Sequence, residues 1–107
     1  MECEGGVNRT LTGVGGVFCA AHRDIATGCL HGHSWEVTAW FTGRPNAAHR
    51  QEQLAAILRR LDHTELGVEL SWGEDIAKRV ADNFDDRACV QVDVSRPLER
   101  MYARWER

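Results

Sequence analysis

The 107-residue chain is 43% hydrophobic and 27% charged, which is typical of one globular domain and too apolar for a disordered chain. Its formal net charge of -3 leaves no basic excess for binding nucleic acid, and no apolar run approaches the roughly 20 residues that cross a bilayer. We therefore expect a single cytoplasmic domain over residues 1–107, without a nucleic-acid or membrane partner and with reduced cysteines.

The first part of the chain predicts a β-hairpin. A strand-like segment spans residues 7–22, and Gly13, Gly15 and Gly16 within it predict a twisted or bulged strand. A second strand over residues 31–42 alternates between the two faces of a sheet, with His33 and Trp35 on the more apolar face. The segment that joins the two strands has the length of a long hairpin loop.

Beyond residue 46 the hydrophobic period changes to that of an α-helix. A first helix is predicted from about residue 47 to residues 62–63, with the core positions Leu54, Ile57, Leu58 and Leu61. A second helix is predicted to open with a capping box formed by Ser71 and Glu74. Its predicted core positions are Ile76, Ala77, Val80, Ala81 and Phe84.

The C-terminal part predicts two more strands. The first covers residues 88–95 with Val90, Val92 and Val94 on one face, and the second covers about residues 98–105. The order β-β-α-α-β-β predicts an α+β domain, in which an antiparallel four-stranded sheet carries both helices on one face.

Three of the five histidines lie within the hairpin. Strand alternation puts His31 and His33 side by side, and the hairpin would bring His22 opposite them. Three neutral imidazoles suit a zinc ion with a fourth position open for water or substrate, whereas three hydrogen-bonded or surface histidines are the alternative interpretation. Cys29 could complete a closed structural site as a fourth ligand, or stay off the metal and act as a base or nucleophile.

Asp62 and His63, at the predicted end of the first helix, are the next candidates. As structural residues, the histidine would complement the helix dipole and the aspartate would be solvated. As functional residues, the carboxylate would orient an imidazole that transfers protons at the metal site. Glu74 already has a sufficient structural role as the acid of the capping box.

Five segments of the sequence together resemble the family of 6-pyruvoyltetrahydropterin and 6-carboxytetrahydropterin synthases. They are FCAAHR at 18–23, LHGHSWEV at 30–37, LDHTEL at 61–66, SWGEDIA at 71–77 and VDVSRPLERMY at 92–102. The resemblance covers most of the chain. It implies a tunnelling fold, in which small β2α2β2 subunits assemble into barrels, commonly as a homohexamer of two stacked trimers.

The resemblance also implies a zinc-dependent lyase whose substrate is 7,8-dihydroneopterin triphosphate, a pterin. Zinc would act as a Lewis acid on the side-chain oxygens of that substrate. The implied zinc ligands are His22, His31 and His33. Asp62 and His63 would move protons together with a base cysteine, for which Cys29 is the candidate, and Glu74 is expected at the substrate.

Two positions depart from the pattern of that family. Thr27 stands where the carboxy-type enzymes have their base cysteine, and Val94 stands where a glutamate anchors the pterin by accepting two hydrogen bonds. Three hypotheses follow. The first is a lyase acting on 7,8-dihydroneopterin triphosphate or a close relative, and the second is a non-catalytic oligomeric binding module with Cys29 as fourth zinc ligand. The third is an enzyme with a non-pterin substrate, which Val94 favours.

Overall fold

Four strands and two α-helices form the domain. The computed structural model of the chain describes residues 9–23, 26–70, 72–84 and 86–107. The strands are β1 (Thr12–Arg23), β2 (Leu30–Phe41), β3 (Cys89–Arg96) and β4 (Met101–Glu106). The helices are α1 (Ala47–Arg59) and α2 (Gly73–Asp82), and they lie between β2 and β3 along the chain. All strand pairs are antiparallel in the order β1-β2-β3-β4, which confirms the predicted α+β topology.

One face of the sheet packs against both helices and forms the core. Phe18, Val37 and Val92 from the sheet are fully buried there with Leu54 of α1 and Ile76 of α2. Each such side chain contributes about 1.5–3 kcal/mol relative to an exposed position. All the predicted core positions of the two helices are buried. Within the described residues, neither helix is long and apolar enough to cross a lipid bilayer.

Several predicted boundaries are wrong, each for a local reason. Helix α1 ends at Arg59, and the backbone of His63 takes a left-handed conformation with φ 58° that no helix can continue. The predicted capping box involves Ser71, which lies outside the described residues. The N-cap of α2 is Trp72, whose side chain makes no capping hydrogen bond, and Glu74 lies in the first turn, where a carboxylate suits the helix dipole.

The last strand starts three residues later than predicted. A 3₁₀ turn occupies Pro97–Glu99, and Arg100 follows it in the left-handed region with φ 57°. Proline has no N–H to donate to a strand ladder, so the chain turns here and pairs again only from Met101. This turn carries Glu99 to the end of the sheet that holds the hairpin histidines.

The glycines of β1 do not form a bulge, and Gly16 serves close packing. The pairing of β1 with β2 runs without interruption from Thr12 to Arg23, and the irregularity of the sheet lies instead between Trp40 and Phe41 on the side of β3. A Cβ atom at Gly16 would lie 2.8 Å from the Cδ1 atom of Leu58. Gly16 therefore lets α1 approach the sheet.

We predict that Gly16→Ala lowers the free energy of unfolding by about 1–3 kcal/mol, because the added methyl group overpacks the contact with Leu58. Gly32→Ala is the matched control, since a Cβ at Gly32 meets nothing within 4 Å and alanine suits a strand better than glycine. Urea denaturation of both variants measures the difference. Equal stability of the two variants would contradict the packing role of Gly16.

Candidate functional site

The three histidines of the hairpin converge at one end of the sheet, beyond the part that the helices cover. His22 pairs directly with His31, and His33 lies one position further along on the same face. The ring centroids of His22 and His33 are 4.8 Å apart, and those of His31 and His33 are 6.2 Å apart. The structure thus brings together the three imidazoles that strand alternation predicts to be neighbours.

The imidazoles line a pocket of about 570 Å³ between the sheet and the start of α2. Trp35 forms its buried base, with its ring centroid 5.8 Å from those of both His22 and His33. Glu74 lines the pocket from α2, and its role at a substrate remains a prediction. The remaining walls include Trp72, Val94, Arg96 and Tyr102. Such a cleft, with aromatic walls and several convergent polar side chains, suits a small planar ligand.

His33 lies between two charged side chains. Its Nε2 atom lies 2.7 Å from a guanidinium nitrogen of Arg96, and its Nδ1 atom lies 3.6 Å from Oε1 of Glu99. Arginine has only donors, so Nε2 must accept and Nδ1 carries the proton of the neutral ring. Burial, followed by the positive charge of Arg96, lowers the pKa of His33 below its ordinary value. His33 is therefore a neutral imidazole whose Nε2 lone pair faces Arg96.

Zinc remains a prediction for this site. Within the described ranges, no three histidine, cysteine, aspartate or glutamate side chains are arranged as a ligand set for a metal ion. The donors nevertheless fit zinc in kind, since three imidazoles share one pocket and the tautomer of His33 leaves Nε2 as its acceptor. Glu99 stands beside the Nδ1–H group, where a carboxylate orients a metal-binding histidine in many sites. In this structure the Nε2 atom of His33 faces a guanidinium nitrogen of Arg96 and not the other two imidazoles.

Asp62 and His63 lie along the free edge of β1 and not in the histidine pocket. The loop that follows α1 runs beside this edge, where Ala21 forms an isolated bridge with Glu65. Oδ1 of Asp62 accepts a hydrogen bond of 2.9 Å from the backbone N–H of Cys19, and Oδ2 lies 2.9 Å from Nδ1 of His63. These two contacts, in that order, lower the pKa of Asp62 below its ordinary value. The carboxylate thus orients the imidazole, while the predicted proton transfer at the metal site remains a prediction.

A second cleft opens beside this pair. It is lined by Cys19, Ser34, His63 and also His33, so one imidazole borders both the cleft and the histidine pocket. The Sγ atom of Cys19 lies 3.6 Å from the hydroxyl oxygen of Ser34 across the two strands. A thiol, a hydroxyl and an oriented imidazole therefore share one accessible surface.

Cys29 lies exposed at the end of the hairpin loop, and it is not among the described residues that line the histidine pocket. Its backbone N–H donates to the hydroxyl of Thr27 at 3.2 Å. The predicted role of Cys29 as a base or as a zinc ligand thus remains a prediction.

Sequence reasoning missed three functional candidates: Cys19, Arg96 and Glu99. Arg96 had a signal, because it lies two positions after Val94 and alternation puts both on the same face. Glu99 reaches His33 because of the 3₁₀ turn at Pro97–Glu99, whereas the sequence pattern predicts that a strand begins at about residue 98. Cys19 meets Asp62 through a contact between residues 43 positions apart, which no local pattern reveals.

Comparisons with known proteins establish the fold. The chain matches a solved structure of 6-pyruvoyl tetrahydropterin synthase from Caenorhabditis elegans with a TM-score of 0.73 and 14% sequence identity. The match covers 94% of this chain and 99% of the nematode chain. No protein-family model and no curated protein sequence matches the chain. The predicted tunnelling fold of the subunit is thereby confirmed.

We predict that Asp62→Asn destabilises the protein at neutral pH and that its deficit relative to the wild type shrinks in acid. Because the folded-state pKa of Asp62 is depressed, the carboxylate stabilises the fold above its ordinary pKa of 3.8 and loses this effect as the pH falls through the folded-state pKa. Urea denaturation between about pH 7 and pH 2 measures the deficit.

Asp82→Asn is the control, since Asp82 forms an exposed pair with Lys78 on α2 and such pairs contribute little. A deficit for Asp62→Asn that is independent of pH would contradict the electrostatic role of Asp62.

Proposed function

We propose that this chain, whose subunit has the fold of a 6-pyruvoyl tetrahydropterin synthase, is a zinc-dependent lyase that acts on 7,8-dihydroneopterin triphosphate or a related compound. The observation that carries the proposal is the convergence of three imidazoles on one pocket with aromatic walls. The free thiols of Cys19, Cys29 and Cys89 suit the reducing cytoplasm, in which we place the protein.

His22, His31 and His33 are the residues that would hold the zinc ion. When bound, the ion would supply Lewis-acid chemistry that lowers the pKa values of groups beside the coordinated substrate oxygens. Glu99 would accept a hydrogen bond from Nδ1 of His33 and keep Nε2 available as a ligand. Each of these roles uses the neutral form of His33, which its burial favours.

Asp62 and His63 are proposed to move protons. Asp62 orients the ring of His63 through Nδ1, which leaves the other ring nitrogen to exchange a proton with substrate or with a thiol. Cys29 is the candidate base from the sequence. The contacts favour Cys19 as the thiol partner of His63, since its backbone holds Asp62 and its side chain lines the same cleft as His63, on the face of the sheet opposite to the histidine pocket.

A planar heterocycle is the proposed ligand of the pocket. Trp72 and Glu74 at the start of α2 would contact it, the tryptophan through its exposed ring and the glutamate by accepting hydrogen bonds.

Oligomers are also part of the proposal. β1 and β4 are the edges of the sheet, and β4 together with the part of β1 that the loop after α1 leaves open is suited to pairing with further copies in a barrel of trimers or a hexamer.

A non-pterin substrate is the second candidate, and Val94 favours it. This side chain is only 1% exposed and presents no acceptor to the pocket, so a pterin would lose the carboxylate that anchors its ring. The third candidate, a non-catalytic module, requires Cys29 as a zinc ligand. The exposed position of Cys29 outside the lining of the pocket makes this the least supported of the three.

We predict that the purified chain binds one zinc ion and that His31→Ala weakens zinc binding by more than about 100-fold. Loss of an outer-shell partner of a metal ligand already costs about 10–100-fold, and loss of a ligand itself should cost more. His49→Ala is the control, because His49 lies exposed on α1 and keeps its backbone bond to Asn46. Zinc affinity is measured by competition with a chromophoric chelator, and turnover by loss of 7,8-dihydroneopterin triphosphate. A chain that neither binds zinc nor consumes the substrate would overturn the proposed function.

We predict that Cys19→Ala lowers turnover by about 100-fold or more while its zinc content is unchanged, since loss of a general base costs that much. Cys29→Ala is expected to keep most of the activity. Each variant serves as the control for the other. Steady-state kinetics measure the turnover of both variants, and metal analysis measures their zinc content. The reverse result would assign the base to Cys29, as the sequence predicts.

A further inference from the structure

Arg96 is an unusual neighbour for a candidate metal ligand. It ends β3 beside the histidine pocket, and its side chain is only 14% exposed. The guanidinium carbon lies 5.3 Å from the ring centroid of Trp35, so the charged group rests on the aromatic base of the pocket. A full positive charge is thus buried directly beside the three imidazoles.

The hydrogen-bond partners of this guanidinium carry no negative charge. One terminal nitrogen donates to Nε2 of His33 at 2.7 Å, and the other donates to the thioether sulfur of Met101. The carboxylate of Glu99 is 3.8 Å from Nε, beyond hydrogen-bond distance, and is 42% exposed. The lone pair of His33 is therefore the best acceptor that Arg96 has among the residues described here.

The same lone pair is the one that a metal ion would use. His33 has a single acceptor nitrogen in its neutral form, and a metal ion and an N–H donor cannot share it. The neighbouring charge acts in the same direction, because a guanidinium in contact with a ligand nitrogen repels an incoming cation. Arg96 therefore opposes metal binding both by occupancy and by charge.

We propose that Arg96 is an internal competitor for the metal site: it occupies Nε2 of His33 in the metal-free protein and must leave for a metal ion to bind. This inference rests on the proposed function for the identity of the site and goes beyond it by assigning a residue that sets the metal affinity. Glu99 is positioned to receive the displaced guanidinium, since its carboxylate already lies near both Nε of Arg96 and Nδ1 of His33.

The pocket provides a matched control in Arg23. This arginine also lines the pocket, but it pairs with Glu65 at 3.1 Å and donates to the carbonyl of Gly28 at 3.1 Å. Arg23→Gln and Arg96→Gln remove the same charge from the same pocket, and only the second variant removes the guanidinium from Nε2 of His33.

The test is the zinc affinity of the full chain, stripped with a chelator and titrated in competition with a chromophoric dye. We expect Arg96→Gln to bind zinc about tenfold tighter than the wild type or more, since a hydrogen bond from a charged donor is lost from the competing state. Arg23→Gln is expected to change the affinity by no more than about threefold, as an exposed charge does. Unchanged or weaker binding by Arg96→Gln, or an equal gain in both variants, would overturn the proposal.

A second measurement does not depend on the folding of a variant. Zinc titration of the ¹⁵N-labelled wild type should shift the side-chain Nε–H signal of Arg96 and leave that of Arg23 in place. Zinc binding without movement of the Arg96 signal would contradict the proposal, even if turnover showed the enzyme function to be right. Conversely, zinc binding by Arg96→Gln alone would support the competitor role and refute zinc dependence of the natural chain.

Discussion

The antiparallel register between β1 and β2 is the constraint on which the rest of the molecule depends. It pairs Phe18 with Trp35 in the core and His22 with His31 at the open end, so one ladder fixes both the packing and the candidate site. Because side chains alternate with a period of two, a slip of one residue would carry the histidines to the opposite face. The hydrophobic core prevents this slip, since the same shift would expose Phe18 and Trp35.

The free edge of the same strand organises the second group of polar residues. The loop after α1 pairs with β1 near Ala21, and the backbone of Cys19 then binds both Asp62 and the N–H of His63. The left-handed backbone of His63 is a sparsely populated conformation that these contacts maintain. Two separate clefts therefore flank one strand, and His33 borders each of them.

Most of the fold could be predicted from the sequence because its signals are local. The alternation in β2 and the helical stripe through Leu54 and Leu58 are each legible within a dozen residues, and both agree with the structure. The beginning of β4 could not be predicted, because the turn after Pro97 depends on a left-handed backbone at Arg100, which no glycine or asparagine marks in the sequence. The late start of β4 is thus a failure of local reasoning.

The candidate site was only partly predictable. The three histidines follow from a two-residue spacing and a hairpin, whereas the meeting of His33 with Arg96 spans 63 positions and depends on the order of the strands. Likewise, the resemblance of LDHTEL to a known motif indicates the pair Asp62 and His63, but the edge location of the pair results from tertiary packing. Spacing thus reveals which groups are present, and topology decides which of them meet.

The end of the β1–β2 ladder has a consequence for how this protein can be altered. Arg23 pairs with Leu30 as the last rung, so the histidines lie within the paired ladder, and Thr27 and Cys29 lie beyond it. A hairpin loop tolerates exchange and changes of length far better than the ladder from which it emerges. The loop is therefore a replaceable module: new reactive groups can be grafted there while the imidazole cluster keeps its geometry, which makes the hairpin a scaffold for engineering.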